Sequence, residues 1–253
     1  MIGMVISWSS ILLAAFLAVR GVWSKLARTY SFFYCYIFAK LASDVTLLIT
    51  YLYFRNWYRP MYWSAEFLTI ALACGIVLEI YRHILSAYPG PERFARIAGI
   101  STFLVVVIIS GTSARTMGDA SINQMMEDLE KNLRSLQAAF LAVILLIIAY
   151  YGIRIGRNMK GMIAGYGVSI ACSLLSIATN LYTRGQFAHV LGFARQFGYT
   201  FPLGIWAVAM WSYYPNPVDV QLPRIERDYD RAVARMHGAL GSVRGYFGKG
   251  VGF

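Results

Sequence analysis

Residues 60–85 read PMYWSAEFLTIALACGIVLEIYRHIL, and the reading of this stretch decides the fold. A helix crosses the hydrocarbon core of a bilayer in about 20 residues, so the stretch is long enough to span it once. It holds Glu66 toward one end, Glu79 toward the other, and Arg82 and His83 just beyond. Carboxylates are costly in hydrocarbon, so they face a protein partner or a water-filled space. The rest of the chain is therefore expected to pack around this span.

The totals agree. Of 253 residues, 58% are hydrophobic and 14% charged, whereas a soluble domain carries about a quarter charged residues. Mean hydropathy is +0.54. Composition alone thus places the chain among membrane proteins. The net charge of +11 would point to nucleic acid in a soluble protein. Here it reads as basic loops on one membrane face, and no nucleic-acid partner is expected. Cys35, Cys74 and Cys172 fall inside apolar stretches without metal-like spacing, so they read as small packing residues.

Working outward, seven stretches are apolar enough to span: 2–19, 31–54, 62–85, 97–113, 136–153, 162–182 and 190–214. The first lacks a basic leader and reads as a span. The first and fourth are short, and Tyr88-Pro89-Gly90-Pro91 reads as a turn before the fourth. Fifteen Lys and Arg lie in the loops after spans one, three and five and in the tail. Six lie on the opposite side, Lys131 and Arg134 among them. The positive-inside rule then puts the N-terminus outside and the C-terminus in the cytoplasm. The expected fold is an all-α integral membrane protein of the plasma or inner membrane. It is a seven-transmembrane-helix bundle over 1–214 with a basic cytoplasmic tail over 215–253.

Several features refine this bundle. Ser121 and Gln124 form a capping-box pattern. Ile122, Met126, Leu129, Leu133, Leu136 and Phe140 follow at helical spacing. Helix five should therefore run unbroken from about 122 to 153, with Glu127, Asp128 and Glu130 on its wet face. The stripe over 122–136 would cover the bundle mouth or the same helix of a second copy. Gly161, Gly165, Ser169 and Ser173 form a small-residue line on helix six, suited to close packing within the bundle or against a membrane-complex partner. Trp57, Tyr58, Tyr62 and Trp63 read as an outer aromatic belt, and Trp206, Trp211, Tyr213 and Tyr214 as an inner one. Pro202 should bend helix seven. In the tail, Ile225, Val233, Met236, Leu240 and Val243 could form the apolar side of a basic helix on anionic lipid.

Four charges lie deep in the spans: Lys40, Asp44, Glu66 and Arg195. Lys40 and Asp44 share a helix face. At about 1.5 Å per residue, Glu66 and Arg195 lie at similar depths, roughly 6 and 8 Å from the outer ends. They are expected to pair, with Lys40 and Asp44 forming a second pair deeper down. Asn180, Gln196 and Tyr199 could supply hydrogen bonds, giving an outward-facing polar pocket between helices two, three, six and seven. A buried network without a ligand is the other reading. At the inner end, Glu79, Arg82 and His83 share a face. They form either a local ion pair or, because His titrates near neutrality, a proton-coupled switch.

The sequence lacks an HExxH zinc helix, a GxSxG elbow and a phosphate-cradling glycine loop. Its three histidines, His83, His189 and His237, sit at unrelated depths. No enzyme activity, metal or cofactor is expected. The sequence points to a sensor-like protein that recognises a small ligand or partner. The alternative is an accessory subunit of a larger membrane complex. A small-solute transporter comes third, because seven spans divide poorly into inverted repeats.

Overall fold

The stretch that holds Glu66 and Glu79 forms α4 (Tyr58–Leu85) in the computed structural model. Pro60 falls in its first turn, where a missing N–H breaks no hydrogen bond. No further proline interrupts it, and Thr69, Ile70, Ala73, Ile76, Val77, Ile80 and Ile84 form one buried stripe. Half of its apolar window is buried, against a third or less in the other candidate spans. The helix is the centre of the molecule.

The structure describes residues 2–24, 26–86, 88–115, 122–183, 188–214, 225 and 227–236. Side chains are described over 8–24, 26–86, 88–109, 128–179, 197–214, 225 and 227–236. Among these residues the protein is all-helical. In chain order come α1 (Ile2–Trp23), a single turn α2 (Leu26–Thr29), α3 (Ser31–Tyr53) and a 3-10 turn Arg55–Trp57. After α4 come α5 (Pro89–Arg115), α6 (Ile122–Tyr151), α7 (Arg157–Thr183) and α8 (Ala188–Ala209). Among the described residues, four stretches are long and apolar enough to cross a membrane: Ser31–Tyr53, Arg55–Leu85, Asp128–Tyr151 and Arg157–Thr179. The described apolar parts of α1 and α8, Trp8–Trp23 and Phe197–Ala209, are shorter.

Several expectations are corrected. The Pro89-Gly90-Pro91 motif is the first turn of α5, not a turn before it, because proline is pre-organised for a helix start. Glu92 N donates to Tyr88 O at 2.9 Å, so α5 runs for 27 residues, beyond the short apolar stretch 97–113 that it contains. On α6 the buried face falls on Glu130, Leu133, Arg134, Gln137, Leu141 and Ile144. Leu129 and Leu136 are only half-buried. Asp128 is exposed as expected, but Glu130 is buried because it faces Arg134. Ser121, and the side chains of Ile122, Gln124, Met126 and Glu127, lie outside the described residues. The helix stops at Gly152, whose φ of +64° suits the residue just past a helix end.

The two glycines of the small-residue line of α7 are occupied within the chain. A side chain at Gly161 would meet Ala209, and one at Gly165 would meet Trp206, so α8 lies directly on these glycines. Trp206 is therefore not part of an interfacial belt. It is 2% exposed and packs edge-on against Phe33 and Tyr36 of α3. Trp211, Tyr213 and Tyr214 are exposed. Asn158 fixes the end of α8: its Nδ2 donates to Ala209 O at 2.9 Å and to Ser212 O at 2.7 Å.

Part of the tail joins the bundle. Ile225 is 4% exposed within the main core. In the helical stretch 227–236, Asp228 accepts a hydrogen bond from the Tyr151 hydroxyl at 3.4 Å. The Tyr229 ring lies where a side chain on Gly90 would be. Met236 is exposed, and Leu240 and Val243 lie outside the described residues.

Candidate functional site

Four helices bring one connected set of charges together in the half of the bundle where α3 passes into α4. Arg134 of α6 is 3% exposed. Its Nη2 donates to Glu66 Oε1 of α4 at 3.1 Å and to the Tyr199 hydroxyl of α8 at 3.3 Å. Its Nε lies 3.6 Å from Glu130 Oε1, one turn earlier on α6. The Tyr199 hydroxyl in turn donates to Glu66 Oε1 at 3.4 Å. The face of the same ring lies 4.8 Å from Lys40 Nζ, and Lys40 donates to Asp44 Oδ1 at 2.7 Å. The contacts thus run Asp44–Lys40–Tyr199–Glu66–Arg134–Glu130 without a gap.

Each part has a local cause. Lys40 and Asp44 meet because residues four apart on a helix are neighbours. Arg134 reaches α4 and α8 because its planar guanidinium has donors on several edges. Buried charges persist only when paired and hydrogen-bonded, and Arg134 sits between two carboxylates with a hydroxyl beside them. Tyr199 joins the two halves: its hydroxyl serves the Arg134–Glu66 pair while its ring serves Lys40.

Beside this chain lies a cavity of about 300 Å³, the lower end of the range for small-molecule sites. Ser10 of α1, Lys40 and Asp44 of α3, Tyr58 of α4, and Tyr199 and Thr200 of α8 line it. The pocket expected between spans two, three, six and seven is therefore built differently. Helix α1 supplies a wall and α7 supplies no lining residue among those described. The side chains of Asn180, Arg195 and Gln196 lie outside the described residues, and so does the expected Glu66–Arg195 pair.

Two members of the network differ from expectation: Glu130 belongs to the expected wet face of helix five, and Arg134 to the basic residues counted on the outer side. The signal that places them is their spacing with Leu133, Gln137, Leu141 and Ile144, which puts polar and apolar groups on one buried face. A polar residue interrupting an apolar stripe in phase is a buried partner for a charge elsewhere.

The Glu79 cluster is organised differently from either expected reading. Glu79 Oε2 accepts from Phe33 N at 2.9 Å and Oε1 from Phe32 N at 3.2 Å. Tyr30, at the N-cap of α3, gives no side-chain cap. Glu79 is therefore the cap of α3 supplied from α4, satisfying backbone donors that a helix start leaves free. Arg82 is exposed and makes no ion pair with Glu79 among the described residues. His83 Nδ1 lies 3.0 Å from Glu79 O, and its ring is 5.0 Å from Tyr30. Burial pushes the Tyr30 phenol up to about 12, with Tyr213 and Glu79 adding to the rise, so Tyr30 stays neutral. Among the described residues no three His, Cys, Asp or Glu side chains converge as a metal site.

The fold and site define an all-helical protein compatible with a membrane, with a charge network in its core. No known protein family matches the chain, and no curated protein or solved structure is significantly similar to it.

Proposed function

We propose that this is a seven-span, non-enzymatic membrane protein that recognises a small polar ligand from the outer face. The observation that supports it is the cavity of about 300 Å³ whose wall carries the Lys40–Asp44 pair. A charged pair that served packing alone would be enclosed. The Lys40 and Asp44 side chains instead keep 18% and 20% exposure at the cavity. With the N-terminus outside and the tail in the cytoplasm, the cavity belongs to the outer half. Tyr199 then couples it to α4 and α6 through Glu66 and Arg134. A ligand that repositions Lys40 would be felt at the Glu66–Arg134 pair through Tyr199, and so by the helices that carry that pair. Anionic lipid would meet the basic tail residues that stay exposed, such as Arg227 and Arg235.

Thiol access tests the reading. In a background with Cys35, Cys74 and Cys172 replaced by alanine, Thr200→Cys should react with a membrane-impermeant maleimide added outside intact cells. Protection from external reagent, with reaction only in inside-out vesicles, overturns both the orientation and the outer site. Complete protection from both sides makes the network architecture and favours an accessory subunit.

A further inference from the structure

The cavity beside the charge network is graded along its length. Lys40, Asp44, Leu47, Leu48 and Tyr51 line it in turn, at spacings that keep them on one face of α3. Lys40 and Tyr51 are eleven residues apart, about 16 Å along the helix axis. The floor holds the Lys40–Asp44 pair, with the Tyr199 ring against Lys40. Leu47 and Leu48, one turn above Asp44, make the wall apolar. The mouth is aromatic: the Tyr51 and Tyr58 rings meet edge to face, 5.8 Å apart.

The pair at the floor has bonding capacity to spare. Lys40 Nζ carries three N–H groups, and Asp44 Oδ1, at 2.7 Å, is the one hydrogen-bond acceptor it meets among the described residues. A carboxylate offers about four acceptor positions on its two oxygens, and no second donor reaches Asp44 among the described residues. Asp44 Oδ2 is not one of the oxygens buried without a partner. It therefore keeps open surface, on a residue that lines the cavity. A donor and an acceptor of opposite charge thus stand side by side at the floor. Together they carry no net charge, so a lone cation or anion would bring an unmatched charge beside them, which is costly away from water. Charge-assisted hydrogen bonds are roughly twice as strong as neutral ones, so two ionised ends suit this floor better than an amide.

We propose that the ligand of this cavity is a free zwitterionic amino acid with a large apolar side chain, an inference that rests on the recognition function proposed above. The ammonium donates to Asp44 Oδ2, the carboxylate accepts from Lys40, and the side chain lies along Leu47 and Leu48 toward the two tyrosines. Both charged ends of an α-amino acid sit on one carbon, so partners one helical turn apart can take both. Asp44 lies seven residues inward of Tyr51, about 10 Å along α3. In a spanning bundle this depth is below the level of lipid headgroups, so the ligand is a free molecule and not a lipid of the leaflet.

The test measures binding of tritiated phenylalanine to the full chain in nanodiscs of dimyristoylphosphatidylcholine by equilibrium dialysis. Phenylalanine should bind. Phenethylamine, 3-phenylpropionate and 3-phenylpropionamide, which lack one or both charged ends, should each compete at least about tenfold less well than unlabelled phenylalanine. Alanine, without the large side chain, should also compete poorly. Asp44→Asn should remove the advantage of phenylalanine over 3-phenylpropionate, and Lys40→Met its advantage over phenethylamine. Absence of binding, or equal competition by the amine, the acid or the amide, overturns the ligand class, and this comparison decides even if the variants fail to fold. Maleimide labelling of Thr200→Cys in the same nanodiscs then separates the two readings. A cysteine that reacts while phenylalanine does not bind leaves the recognition function standing without this ligand. A cysteine that does not react from either face overturns both.

Discussion

Two carboxylates on the same helix show how differently one residue type can be used. Glu66 is held by side chains: a guanidinium from α6 and a hydroxyl from α8. Glu79 is held by backbone: the N–H groups of Phe32 and Phe33 at the start of α3. Backbone donors at a helix start are fixed by the helix, so Glu79 can only lock α3 to α4. Arg134 and Tyr199 hold Glu66 through side chains on two other helices, and in the proposed function this is the route by which a change at the Lys40–Asp44 cavity would reach α4 and α6. The lesson is that a buried acid is placed in function or architecture by the kind of partner it has. Its depth in the span does not decide this.

Substitutions sharpen the contrast. The largest loss is expected for Arg134→Leu, which strands Glu66 and Glu130 without their cation. Breaking a buried pair by removing one partner costs about 3–5 kcal/mol, read as a lower thermal midpoint in detergent. Glu79→Ala comes next, at about 1–3 kcal/mol, because two amides near the start of α3 lose their acceptor. Glu79→Gln should cost less, since the amide oxygen can still accept from one of the two N–H groups, and this ordering separates a cap from an ion pair. An equal loss for both variants would mean that charge, not capping, is what Glu79 supplies. The smallest stability effect belongs to Lys40→Met, about 1 kcal/mol or less for a partly exposed pair. Its thermal midpoint should stay near that of the native protein while the reactivity of Thr200→Cys beside it changes. A large destabilisation there would move Lys40 from the site into the architecture.

The parts legible in the sequence are those set by local spacing. Lys40 and Asp44 are one turn apart on a single helix, and α6 runs continuously from Ile122 because no breaker interrupts it. The illegible parts depend on partners far along the chain. Arg134 is 68 residues from Glu66, and nothing near either names the other. Trp206 looks like a belt residue beside Trp211, yet α8 turns it onto Gly165 of α7. Glu79 looks like one half of a pair with Arg82. The start of α3, whose N-cap residue supplies no side-chain cap, took its carboxylate instead. Gln137 reads as an ordinary helix residue until its amide is seen to donate to Ile70 O of α4.

The central claim is that Glu66 and Arg134 act as one unit joining α4 to α6. A double-mutant cycle on the full chain measures it most directly, with thermal and denaturant unfolding of Glu66→Gln, Arg134→Gln and the double variant in one detergent. The double variant should lose less than the sum of the two single losses, by about 1–3 kcal/mol, because the second change removes a group already left unpaired. Losses that add to within about 0.5 kcal/mol would show that the two side chains do not depend on each other, and would contradict the account.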